Sequence, residues 1–153
     1  MKKLKPINLI LTFLLFISCG YSPLYKDLSN VNFSITLNEV SGNRKINNLI
    51  KSRLNAYNSN NAEKKYDIDI NTKYTKDIIA KDTTGAATEY KLTINAYFKV
   101  NSNNYKKELI FQESFNMKSI SDKLEEQDYE ENIQSNLVNT ISRKLVLQLS
   151  VAK

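Results

Sequence analysis

Residues 66–74 read YDIDINTKY and residues 90–100 read YKLTINAYFKV. In the first stretch Tyr66, Ile68, Ile70, Thr72 and Tyr74 alternate with Asp67, Asp69, Asn71 and Lys73. In the second, Tyr90, Leu92, Ile94, Ala96, Phe98 and Val100 share one parity. A strand sends successive side chains to opposite faces, so both stretches predict strands with one face covered and one wet. Ile78 and Ile79 continue the first strand after a bulge expected at Lys76-Asp77. Lys81 to Thr88 (KDTTGAAT) supplies a turn that includes Gly85, and Asn101 to Tyr105 (NSNNY) supplies another. Lys106 to Met117 then predicts a third strand, with Leu109, Phe111 and Phe115 on one face. Residues 66–117 read as a three-stranded antiparallel meander.

Upstream, Phe33, Ile35 and Leu37 alternate with Ser34, Thr36 and Asn38, which predicts a short strand over residues 32–40. Ser41-Gly42-Asn43 is a turn. From Arg44 to Tyr57 the apolar positions Ile46, Leu49, Ile50, Leu54 and Tyr57 fall on one helical stripe. Asn58 to Lys64 is a polar loop. Downstream, residues 118–126 are polar and charged. A long helix is expected from Asp128 to about Leu149, because Ile133, Leu137, Ile141, Leu145 and Leu149 recur every fourth residue, with Val138 widening the stripe. The order is β-α-β-β-β-α. It predicts an α+β, two-layer domain with two helices on one face of a four-stranded mixed sheet. The first strand joins the meander through the helical crossover.

The chain has 153 residues, 41% hydrophobic and 25% charged, which suits one folded domain. It has one Cys and no His. That excludes an intrachain disulfide, Ser-His-Asp and Cys-His catalysis, and Cys/His zinc sites. Three Gly and two Pro leave little room for phosphate loops or Pro-rich linkers. Asp67 with Asp69 reads as the solvated face of a sheet. Glu125 to Glu131 (EEQDYEE) reads as charge that complements a helix N-terminus. A Ser–Lys or two-carboxylate enzyme stays open in principle, with no residues to place it on. The expectation is a protein that is not an enzyme and carries no metal.

The N-terminus is an address. Lys2, Lys3 and Lys5 precede the apolar run Ile7 to Ile17 (INLILTFLLFI), which has the length of a signal-peptide core and is too short to span a bilayer. Phe16-Ile17-Ser18-Cys19-Gly20 follows and looks like a bacterial lipobox, with Phe16 departing from the usual aliphatic first position. Cleavage before Cys19 would make it an acylated N-terminus. The alternative is an ordinary signal peptide, or an uncleaved anchor, with an incidental Cys. The expected division is a signal peptide over 1–18, a lipidated tether over 19–32 and an α/β domain over 33–153. Gly20 is not Asp, so the outer membrane is favoured over retention at the inner one. The formal charge of +6 from 22 basic and 16 acidic residues loses three Lys with residues 1–18. That leaves 19 basic against 16 acidic residues, net +3, which is not a nucleic-acid footprint.

The layout resembles the lipopolysaccharide-assembly lipoprotein family LptE, in particular its alphaproteobacterial members. The resemblance runs from Cys19-Gly20-Tyr21 and Pro23-Leu24-Tyr25 through Arg44 and Leu49 to Leu54 (LIKSRL). It continues with Ile79 to Thr83 (IAKDT), Glu89-Tyr90 and Asn95-Ala96, and ends with Glu126-Gln127-Asp128 and Ser142 to Leu145 (SRKL). It implies a non-enzymatic protein on the periplasmic side of the outer membrane, held by lipid on Cys19. Such proteins sit inside the outer-membrane β-barrel LptD, plug it, and bind lipopolysaccharide for delivery to the outer leaflet. In the family, lipopolysaccharide binding involves basic residues near strand tips. Lys123 falls at one such position. The second lies in the turn Thr83 to Thr88, which here has no Arg or Lys, so Lys81 is the nearest. Lys118 flanks the same loop as Lys123 and joins the set. Tyr21, Leu24, Tyr25 and Tyr105 could contact a barrel wall or pack on their own domain. An accessory lipoprotein of another outer-membrane insertion or lipid-transport complex is the alternative.

Overall fold

The computed structural model describes residues 32–59 and 62–152. The signal peptide, Cys19 and the tether residues Tyr21, Leu24 and Tyr25 lie outside the described residues. Strand β1 (Phe33–Gly42) is followed by helix α1 (Arg44–Leu54) and a 3₁₀ turn (Asn55–Tyr57). Strands β2 (Lys64–Lys81), β3 (Ala87–Asn101) and β4 (Lys106–Lys118) come next, and helix α2 (Lys123–Ser150) closes the chain. This is the β-α-β-β-β-α order the alternation predicts. The sheet order is β1-β2-β3-β4. β1 runs parallel to β2, while β2–β3 and β3–β4 are antiparallel, so the sheet is mixed.

The inward parity of each strand carries the core. Tyr66, Ile68, Ile70, Leu92, Ile94, Ala96, Phe98 and Val100 are buried, and Leu109 and Met117 extend the layer onto β4. Ile46, Ile50 and Leu54 of α1 and Ile133, Leu137, Val138, Ile141, Leu145, Val146 and Leu149 of α2 cover them from one side. Tyr66 donates its hydroxyl to the Leu149 carbonyl at 3.3 Å, tying the last turn of α2 to β2.

The β1–α1 junction shows why the crossover is held. Gly42 has φ +93°, and a Cβ there would meet the Thr72 carbonyl oxygen at 2.0 Å, so only glycine fits. Asn43 caps α1 by accepting from the Ile46 N–H at 3.0 Å, while its own N–H donates to the Thr72 carbonyl at 2.9 Å. Asn47 donates to the Ser41 carbonyl and accepts from the Thr72 hydroxyl at 2.7 Å, which satisfies two buried polar groups on one another.

Two expectations need correction. The bulge is not at Lys76-Asp77: both keep the regular β2–β3 register, opposite Leu92 and Lys91, and the shift falls between Ile78 and Ala80. Helix α2 starts at Lys123 rather than Asp128, because the Asp122 side chain accepts from the Leu124 and Glu125 N–H groups and caps it. Leu109, Phe111 and Phe115 do share the inward face of β4, opposite Phe98, Ala96 and Leu92, with Phe115 42% exposed and Met117 fully buried at that end.

Candidate functional site

The three lysines singled out in the sequence come to one end of the sheet. Lys81 closes β2, Lys118 closes β4 and Lys123 opens α2. The Ser119 N–H donates to the Thr88 carbonyl at 2.8 Å, which ties the β4–α2 loop to the β2–β3 hairpin. The hairpin tip is closed by Asp82, whose carboxylate accepts from the Thr84 hydroxyl at 2.6 Å, the Thr84 N–H at 2.8 Å and the Ala86 N–H at 3.0 Å. These bonds, the Thr84 hydroxyl first, hold the Asp82 carboxyl below its ordinary pKa. Glu89, Asp122 and Glu125 lie at this end too, so the lysines project from a mixed surface rather than a uniform basic patch.

Beneath the lysines is a charged cluster that the apolar patterns do not reveal. Glu126 is 6% exposed. One of its oxygens accepts from the Ile120 N–H at 3.0 Å and the Ser119 hydroxyl at 2.9 Å, and the other lies 3.4 Å from Lys76 Nζ. Lys123 Nζ stands 3.5 Å from the same carboxylate, on a side chain that is mostly solvent-exposed. The Ile120 N–H does most to lower the Glu126 pKa. Burial opposes it, the Ser119 hydroxyl and Lys76 reinforce it, and the value falls from 4.5 to about 2. Glu126 is thus ionised at neutral pH and fixes the loop between Lys118 and Lys123.

Lys76 bridges the cluster. It pairs with Glu130 at 2.7 Å as well as with Glu126, and its ammonium lies 4.3 Å from the centre of the Tyr90 ring. Tyr74 donates to Glu130 at 2.6 Å, and burial with this bond raises its pKa. Burial pushes Glu130 up, but the bonds from Lys76 and Tyr74 outweigh it and leave it lowered. The helix-dipole reading of Glu125 to Glu131 therefore misses the roles of Glu126 and Glu130. A signal was present: Lys76 is a charge at an inward position of a strand, which demands a buried counter-charge.

The remaining residues fall into place. Tyr105 is half-buried and packs edge-on against Tyr66 at 6.0 Å, so it is a contact within the domain. Asp69 is on the open face and accepts from the Glu39 N–H at 3.3 Å. Among the described residues, no helix is long and apolar enough to cross a membrane, and no group of three or more Cys, Asp or Glu is placed to hold a metal ion.

Residues 32–149 match the family model described as LptE: Lipopolysaccharide-assembly. A search of curated proteins finds no match. Among solved structures, rare lipoprotein B from Shewanella oneidensis is similar at TM-score 0.52 and 13% identity, covering 74% of this chain and 92% of its own. A minor lipoprotein from Acinetobacter baumannii is similar at TM-score 0.51 and 13% identity, covering 77% and 91%. A putative lipoprotein from Caulobacter crescentus reaches TM-score 0.50 at 13% identity, covering 80% and 89%. At these identities the structural likeness concerns the fold.

Proposed function

Since the chain belongs to the LptE lipopolysaccharide-assembly family, we propose that it is the lipid-anchored partner of the outer-membrane barrel LptD and binds lipopolysaccharide on its way to the outer leaflet. The match over residues 32–149 carries this reading, because it takes in every strand and both helices. In it, residues 1–18 are a signal peptide and residues 19–32 a tether acylated at Cys19. Residues 33–153 are the domain, on the periplasmic side of the outer membrane. No catalytic step or cofactor is assigned.

The open sheet face supports a seat inside a barrel. Its residues include Asp67, Asp69, Asn71, Lys73, Asn95, Lys99, Gln112 and Ser114, which suit the polar lumen of a large barrel. Lys123 and Lys118, on either side of a loop that Glu126 holds in place, are the proposed contacts to lipopolysaccharide phosphates, with Lys81 beside them on the hairpin. A lysine serves as a mobile point charge for phosphate.

Two experiments test the reading. The tagged, acylated protein is recovered from solubilised outer membrane and its companions are identified by mass spectrometry. A stoichiometric barrel is expected, and another lipoprotein complex in its place would remove the LptD assignment. Lys123→Ala is expected to weaken lipopolysaccharide binding severalfold with an unchanged circular dichroism spectrum. Equal affinity in the folded variant would remove Lys123 from the site.

A further inference from the structure

The pole of the domain opposite Lys81, Lys118 and Lys123 is where the described chain begins. Phe33 pairs there with Lys64, Tyr57 stacks on Phe33 with ring centres 6.1 Å apart, and Tyr105 packs against Tyr66. Lys64 Nζ donates to the Ala152 carbonyl at 2.9 Å, which brings the end of α2 to the same place. The starts of β2 and β4 meet at this pole, and each opens on two lysines: Lys64 and Lys65, Lys106 and Lys107. All four are exposed. Lys51 stands at the flank, lining a cleft with Asn58. Between the start of β2 and the Asn101–Tyr105 turn lies an open hollow of about 670 Å³.

The ion pairs of Lys45, Lys76, Lys123 and Lys144 all lie away from this pole. Among the described residues, none of the five pole lysines has a carboxylate at ion-pair distance. The acids of the pole are Glu63 and Asp67, and residues 101–107 contain none. Local reasons account for only part of this. Lys51 suits the C-terminal end of the α1 dipole, and Lys106 and Lys107 open an edge strand, where lysine discourages pairing with another chain. Lys64 and Lys65 open β2, an inner strand that needs no such guard.

The chain that leaves this pole says what the lysines meet. Residues 1–31 lead away from it and hold the apolar run Ile7 to Ile17 and Cys19. We propose that the pole is a docking surface for an anionic phospholipid bilayer, with Lys51, Lys64, Lys65, Lys106 and Lys107 facing the headgroup phosphates. The proposal rests on the membrane attachment in the function proposed above, and adds which end of the domain lies on the leaflet. A basic cluster beside a lipid anchor supplies a second attraction to the membrane, selective for anionic headgroups and screened by salt. Mobile lysines need no enclosed pocket to meet a plane of charge. The hollow leaves room for headgroups between the two lysine pairs. At the other pole Lys81, Lys118 and Lys123 stand among Asp82, Glu89, Asp122 and Glu125, so a charged plane favours the first pole over the second.

The acylated full chain, carrying a dye on Asn103→Cys in the β3–β4 turn, is reconstituted into vesicles that contain a nitroxide headgroup quencher. Acylated Cys19 offers no thiol to the dye. Quenching should be at least ~fivefold stronger when phosphatidylcholine vesicles contain phosphatidylglycerol. It should fall to the phosphatidylcholine level at roughly 1 M salt, where the screening length is about 3 Å. The Lys64→Gln/Lys65→Gln/Lys106→Gln/Lys107→Gln variant, checked for folding by circular dichroism, should show the same fall. Arg44→Gln/Lys91→Gln removes exposed cations away from the pole and should quench like wild type. A dye on Thr84→Cys, at the opposite tip, should report no headgroup contact. Equal quenching with and without phosphatidylglycerol, as expected of a pole that meets an acidic protein instead, overturns the proposal. Quenching that survives both high salt and the quadruple variant overturns it too. A chain that fails to float with neutral vesicles removes the acylation of Cys19 from the proposed function. Flotation with phosphatidylglycerol vesicles then tests the docking alone: its loss in the quadruple variant supports the proposal, and its absence in wild type overturns it.

Discussion

The covered face of β2 is sealed differently at its two ends. Near Lys64 it turns Tyr66, Ile68 and Ile70 inward, and all three are buried among apolar side chains. Near Lys81 it turns Tyr74 and Lys76 inward, and Glu130 and Glu126 close over them. One strand therefore uses two chemistries to hold the same long helix. The apolar end is insensitive to pH and supplies most of the cohesion. The charged end contributes less, depends on ionisation, and orders the loop that carries Lys118 and Lys123.

Ile68→Ala tests the apolar end and should have the largest effect. The side chain is fully buried, so its loss should cost about 3–4 kcal/mol at any pH, read as a lower midpoint in urea. A loss confined to acid conditions would erase the distinction between the two ends.

Glu126→Ala should cost less, about 2–3 kcal/mol, because it strands the Ile120 N–H and half of the Lys76 pairing. The pH dependence sharpens the point. Glu126 has its folded pKa lowered from 4.5 to about 2. Its contribution is complete above the unfolded value near 4.5 and fades as pH falls toward about 2. Wild type should lose stability through that window, and Glu126→Gln should show a flatter curve in acid titrations followed by circular dichroism. Some slope should persist, since Glu130 is lowered as well. Identical curves would mean that the cluster is not a stabilising charge network.

Lys123→Ala should have the smallest effect on stability, within about 0.5 kcal/mol, because an exposed ion pair contributes little. Thermal melts of the two proteins should nearly superimpose. A larger shift would make Lys123 part of the cluster rather than a group free to meet a ligand.

Element order and sheet face were legible because period-two runs such as Tyr66 to Tyr74 have few rivals over nine residues. The start of α2 was not. Glu126 and Glu130 continue the inward stripe of Ile133 and Leu137 seven and three residues upstream, but they are charged. Leu124, the first apolar residue of the helix, points to solvent and is 70% exposed. Hydrophobic periodicity cannot register a stripe completed by ions. For the same reason Lys76 looked like a bulge when it was an inward residue with two counter-ions. The lysines were legible only through family resemblance, since an exposed lysine carries no periodic signal, and the basic pole needed the fold to bring the starts of β2 and β4 together.

The parallel pairing of β1 with β2 also sets a reach. Phe33 lies beside Lys64 at the start of β2, and Lys81 lies at the far end of that 18-residue strand. At a strand's rise that span is at most ~60 Å, more than the roughly 40–45 Å of a bilayer with its headgroups. The 13 residue-to-residue steps from Cys19 to Asn32 can span no more than about 45 Å. For a domain acylated at Cys19 and standing along a barrel axis, the chain is too short to fold back and bring Lys81 down to the leaflet that holds the acyl chains. On the function proposed above, an attachment point and a lysine-bearing tip so spaced would make the domain a strut, starting on one side of a membrane and presenting its lysines on the other.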